Sequence, residues 1–166
     1  MEQSLYRTDR DIEALYMRHH LMLYRVCYSF LKNRADTEDA VSETFIRLIR
    51  KQPAFESEKH ETAWLVMTAE NICRSMLKHW WRRQKEDIDD FFDLSVPDNA
   101  KSKRVLEAVL ALPPKYKTVV YMYYYEGYST NEIAEMLKRK PSTVRNDLHD
   151  ARVLLKERSG DDFYEG

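Results

Sequence analysis

Apolar side chains recur at helical intervals along most of this chain. Ile12, Leu15, Tyr16, His19, Leu23, Val26 and Phe30 follow steps of three and four, which predicts one stripe on a helix from about Asp9 to Lys32, ended by Asn33 and Arg34. A second helix is predicted from near Asp36, where Glu38 and Asp39 suit the positive end of the helix dipole. Val41, Phe45, Leu48 and Ile49 form its apolar face, and Pro53 stops it. After a polar connection over 52–61, a long helix is expected from about Thr62 to Lys85, with Leu65, Ala69, Ile72, Met76 and Trp80 directed inward.

The periodicity then lapses. Residues 86–100 carry Glu86, Asp87, Asp89, Asp90, Asp93, Asp98 and Pro97, the pattern of an acidic, flexible linker. Four shorter helices follow, over 101–112, 114–126, 129–137 and 141–158. Pro113 and Pro114 separate the first pair, Gly127 closes the second, Ser129 and Glu132 supply a capping box for the third, and Pro141 opens the fourth. The expected fold is all-α, two small helical domains over 1–85 and 101–166 joined by the linker 86–100. A composition of 3 Gly and 5 Pro in 166 residues fits helices with short connections.

Charge sharpens this picture only locally. Charged residues are 33% of the chain, yet the formal net charge is -1, so no overall field favours nucleic acid. The basic excess lies within 101–158, between two acidic stretches. No apolar run reaches the length of a signal peptide or of a membrane span, which predicts a cytoplasmic chain without membrane insertion. Cys27 and Cys73 sit at helical positions among apolar neighbours and are expected to be buried thiols. The five histidines are scattered, and neither a phosphate-cradling glycine loop nor a Gly-x-Ser-x-Gly elbow is present, so no enzyme, metal site or cofactor is predicted.

The candidate chemistry is that of recognition. Residues 128–155 have the short helix, brief turn and longer helix of a helix-turn-helix, whose shared core would be Ile133, Ala134, Leu137, Val144 and Leu148. Burying Val144, Leu148, Ala151 and Leu155 leaves Ser142, Arg145, Asn146, His149 and Arg152 on the opposite side, with Thr143 beside them. Lys138, Arg139 and Lys140 occupy the turn. Arg and Asn can pair with base edges, and lysines with phosphates. An ordinary solvated helix face would look the same, and Asp147 and Asp150 would repel phosphate if they faced DNA.

In the first half, Asn71, Ser75, Lys78 and Arg82 recur on the long helix, flanked by Arg74, Trp81 and Arg83. Cations interleaved with flat rings suit an unpaired strand, although both tryptophans could equally be core residues. Asp36, Glu38, Asp39 and Glu43 form an acidic patch, either a solvated cap or a docking surface for a basic partner.

The order of these parts resembles the extracytoplasmic-function sigma factors. The carriers of the resemblance are Asp36-Thr-Glu-Asp-Ala-Val-Ser-Glu-Thr-Phe45, Ala63-Trp-Leu through Asn71 to Arg83, and Leu112-Pro-Pro-Lys-Tyr-Lys-Thr-Val-Val120 with Glu132-Ile-Ala-Glu135. The resemblance implies partners: core RNA polymerase, held by Asp36, Glu38, Asp39, Ser42, Glu43 and Phe45, and promoter DNA. The −10 element would be opened by Asn71, Arg74, Ser75, Lys78, Trp81, Arg82 and Arg83, a flipped base would sit in the 52–61 connection, and the −35 element would be read by the helix-turn-helix. It also implies an anti-sigma partner. Ser42 stands where the family often has Gln, Ser75 where it often has Asp, and Lys138-Arg-Lys-Pro-Ser142 replaces a turn that usually contains glycine. An operator-binding regulator without polymerase would account for the last third alone, and a helical adaptor would need neither DNA nor polymerase.

Overall fold

The computed structural model describes residues 9–80 and 107–159, and every regular element among them is helical. The chain divides into two compact units, Met1–Asp89 and Asp90–Gly166. In the first, α1 (Asp9–Leu31), α2 (Arg34–Lys51) and α3 (Glu58–Trp80) pack pairwise. In the second, a helical segment over 107–110 precedes α4 (Pro114–Tyr124), α5 (Thr130–Leu137) and α6 (Pro141–Ser159). The predicted linker 86–100 and residues 101–106 lie outside the described residues.

In the first unit, Leu15, Leu23, Val26 and Phe30 of α1, Val41, Phe45 and Leu48 of α2, and Leu65, Ala69 and Ile72 of α3 are buried as their spacing predicts. Other members of the predicted stripes are not: Ile12 and Met76 are half-buried, and Tyr16 is 43% and Ile49 41% exposed, because a helix pressed between two neighbours buries a centred strip and leaves the strip's edges wet. Val66, Cys73 and Glu70 complete the buried side of α3. The Cys27 and Cys73 thiols meet inside this core. The hydrogen bond between them, with burial second, pushes Cys27 well above the usual thiol range, so neither geometry nor charge favours a reactive thiolate there.

Helix ends differ from expectation where side chains cap them. Asn33 belongs to the start of α2, its Oδ1 accepting the Asp36 N–H at 2.9 Å, while Lys32 terminates α1 in a left-handed conformation (φ 60°). α3 starts four residues earlier than Thr62, because Ser57 Oγ accepts from the His60 N–H at 3.1 Å and Ser57 O takes the Glu61 N–H at 3.0 Å.

The second unit buries Ile133, Ala134, Leu137, Val144, Leu148, Ala151 and Leu155, the stripe read for the helix-turn-helix, together with Val119, Val120 and Met122 of α4. Both bonds of the Ser129–Glu132 capping box form, at 3.1 Å each. α4 stops at Tyr124, two residues short of expectation, and Gly127 follows at φ +75°. A Cβ there would meet nothing, so conformation and not crowding favours glycine. Buried Lys117 donates to Leu110 O at 3.0 Å and Arg158 to Ala111 O at 2.7 Å, so two cations satisfy the carbonyls that end the 107–110 segment.

Each unit therefore has a core of its own. Leu148→Ala should cost the second unit about 3 kcal/mol. All three tryptophans, Trp64, Trp80 and Trp81, lie in the first unit. Urea unfolding followed by tryptophan emission is expected to stay unchanged in this variant, while helical circular dichroism gains an earlier transition.

Candidate nucleic-acid and protein interfaces

On α2 the acids run from Asp36 in the first turn, which Asn33 opens, to Glu43 in the third. The Asp36 carboxylate accepts from Asn33 Nδ2 at 2.6 Å and so serves the cap. Glu38 pairs with Arg34 at 3.0 Å and Glu43 with Arg47 at 3.3 Å, each one turn along the same helix. Asp39 and Ser42 are exposed. Phe45 cannot join them as a contact: it is 6% exposed and packs against the Tyr16 ring with centroids 4.9 Å apart. Steps of three and four from Asp39 and Ser42 lead instead to Ile46 and Ile49, 39% and 41% exposed. Sequence reasoning missed this pair by assigning Ile49 to the core. The signal that finds it is the helical count from Ser42.

On α3, Asn71, Ser75 and Lys78 are exposed and share one stripe. Arg74 is held back from it, its Nη2 3.2 Å from Glu70 Oε1 and its guanidinium 5.9 Å from the Phe30 ring centre. Trp81, Arg82 and Arg83 lie outside the described residues. At the other end of α3, the 52–57 connection is bound to the first turn of the helix. Glu56 N–H donates to His60 Nδ1 at 3.2 Å, and the Phe55 ring meets His60 and Trp64 edge-on at 5.4 and 6.1 Å. Periodicity gave no sign of this aromatic cluster, since its members belong to a loop and to the flank of a helix.

On α6, Ser142, Arg145, Asn146 and His149 are exposed, and burial of Val144, Leu148 and Ala151 sets the direction they face. Arg152 is committed elsewhere. Its Nε donates to the Tyr124 hydroxyl at 2.8 Å and its guanidinium lies 5.5 Å from the Tyr123 ring centre, so it braces α6 against α4. Thr143, Asp147 and Asp150 follow one another at four and three residues and occupy a different flank from Arg145 and His149. The acids there act on Lys115 of α4: the Tyr116 hydroxyl first, and then Asp147 and Asp150, hold its ammonium above the usual lysine range. The two acids thus stand on a flank of α6 apart from Arg145 and His149.

The turn between α5 and α6 keeps a tight geometry without glycine. Lys138 takes the left-handed conformation (φ 55°, ψ 45°), and Arg139 N–H reaches back to Ala134 O at 2.9 Å. Lys138 and Lys140 are exposed and Arg139 is half-buried. A left-handed residue with a Cβ costs about 1 kcal/mol. Lys138→Gly should therefore raise stability by about 1 kcal/mol in urea unfolding while lowering affinity for duplex DNA. A gain in both would show that this lysine contacts no phosphate.

Comparison with known proteins adds a family to these surfaces. Residues 15–85 match the model of Sigma-70 region 2 and residues 102–155 that of Sigma-70 region 4. The chain is 26% identical over 162 residues to the ECF RNA polymerase sigma factor SigW of Bacillus subtilis, covering 84% of this chain and 83% of that one. It is 28% identical over 155 residues to the ECF RNA polymerase sigma factor SigE of Mycolicibacterium smegmatis, covering 87% of this chain but spanning only 60% of that relative's length. Among solved structures, the sigma factor RpoE from Bartonella quintana, determined with the anti-sigma factor NepR, superposes with a TM-score of 0.70 at 18% identity. That match covers 93% of this chain and 99% of that one.

Proposed function

From a chain that belongs to the sigma-70 family and resembles its extracytoplasmic-function members, we propose a sigma factor that binds core RNA polymerase and directs promoter-specific initiation. The observation that carries the proposal is the presence of both family regions, in order, on one chain. A regulator that only binds operators needs the second and has no use for the first. The work is binding and strand separation, and the protein makes or breaks no bond itself.

We assign residues 1–85 to polymerase binding and the −10 element, 86–100 to the linker and 101–166 to the −35 element. On α2, the exposed Asp39 and Ser42, with Glu38 and Glu43 and the apolar Ile46 and Ile49, offer a mixed surface to a basic partner. Acids give such a surface its on-rate and isoleucines its lifetime. On α3, Asn71, Ser75 and Lys78 face the separated strand, while Arg74 supports them from its bond to Glu70. On α6, Arg145, Asn146 and His149 enter the major groove and Lys138 and Lys140 hold its phosphates. An anti-sigma partner, implied by the family, would act by covering these surfaces, and the whole cycle would take place in the cytoplasm.

Run-off transcription from a pool of random promoters, with core polymerase alone and with this protein added, tests the proposal. Selective initiation that depends on the protein is the expected result. Core polymerase that neither binds the chain nor gains selectivity overturns it. Within that assay, Arg145→Ala should weaken −35 recognition by about 1 to 3 kcal/mol, concentrated at one base position. An equal loss on every promoter would make Arg145 a phosphate contact.

A further inference from the structure

Three of the ion pairs already described each join residues one turn apart on the same helix, Arg34–Glu38 and Glu43–Arg47 on α2 and Glu70–Arg74 on α3. Glu61 is arranged differently. Its carboxylate belongs to the first turn of α3 and is taken from α1 by two consecutive residues. Arg18 Nη2 lies 3.0 Å from Oε1, and His19 Nε2 donates to the same oxygen at 2.5 Å. The side chains of His19 and Glu61 are 6% and 13% exposed, so the contact is sheltered from water, while Arg18 stays half exposed. A half-buried polar group is held in place by its hydrogen bonds, and both of these come from α1.

The residues that depend on this turn are those of the 52–57 connection. Glu61 N–H makes the first backbone bond of α3, to Ser57 O, and His60, beside it, takes the Glu56 N–H and the edge of Phe55. Trp64, one turn along, receives the other contact of Phe55. A continuous path therefore runs from Arg18 and His19 through Glu61 into the turn that shapes the connection.

We infer that Glu61 is a positioning residue for −10 recognition: gripped by Arg18 and His19, it fixes the first turn of α3 and through it the shape of residues 52–57, part of the 52–61 segment in which the family resemblance places a flipped base. The inference rests on the reading of this unit as the one that opens the −10 element.

Its test uses the full chain, bacterial core RNA polymerase and a promoter library randomised across the −10 element. Glu61→Gln keeps the shape of the side chain and removes its charge. The variant is expected to bind core polymerase as the wild type does. At the base position held by the connection, its preference for the favoured over the disfavoured base should fall by about tenfold, the scale of one charged hydrogen bond. A role in stability alone would lower transcription from every promoter by one factor and leave that preference intact, which would overturn the inference. Should Glu61→Gln fail to unfold cooperatively, Arg18→Met at the half-exposed donor serves in its place. A several-fold fall in preference supports the inference, and an unchanged preference overturns it. If the wild-type chain selects no sequence from the library, the reading of the unit fails and the role of Glu61 with it. Selection by the wild type with equal selection by the variant removes Glu61 alone.

Discussion

Leu23, Val26, Leu48, Leu65 and Val66 have lost essentially all contact with water, and each such burial contributes about 2 kcal/mol before the entropy of ordering is charged against it. These side chains do more than hold α1, α2 and α3 together. A helix has a single rotational setting, so burying Leu65, Ala69 and Ile72 leaves Asn71, Ser75 and Lys78 no direction but outward. The same constraint in the second unit, through Val144, Leu148 and Ala151, presents Arg145, Asn146 and His149. Both candidate DNA surfaces are what remains once the cores are satisfied.

Charge is then distributed so that the basic faces are not cancelled. Asp147 and Asp150 share α6 with the exposed Arg145, Asn146 and His149, but they follow Thr143 along another flank and, after the Tyr116 hydroxyl, raise the pKa of Lys115. Arg74 and Arg152, cations that could have reached for phosphate, are bound to Glu70 and to Tyr124. They give up reach for rigidity: a side chain held within its own unit keeps the adjacent stripe in register, and readers presented on a rigid element lose less freedom on binding.

Local devices at the helix ends complete the positioning. Asn33, Ser57 and the Ser129–Glu132 box satisfy N–H groups that would otherwise have only water, and Lys138 accepts a left-handed backbone so that α6 can follow α5 after a very short turn. At the start of α3 the cap is joined by a contact between helices, Arg18 and His19 on Glu61, which links the core of the first unit to the connection before α3.

Among the described residues, the order of the helices, most of the inward stripes, the helix-turn-helix and the exposure of Asn71, Ser75, Lys78, Arg145, Asn146 and His149 were legible from spacing alone, because helical periodicity is local and each stripe announces its own face. The family resemblance was legible for the same reason, in short runs such as Ala63-Trp-Leu and Glu132-Ile-Ala-Glu135. Spacing put Phe45 in the core, but it could not tell that Ile49, read into the same stripe, is exposed beside Ile46, since only the position of the neighbouring helices decides which edge of a stripe is covered. Nor could it tell that Arg74 and Arg152 are braces, that α3 begins at Glu58, or that Glu61 meets two residues 43 and 42 positions earlier. The sequence by itself determined which surfaces each helix could show. Tertiary structure alone decided which of their charged side chains remain available, because a partner distant along the chain is invisible until folding brings the two together.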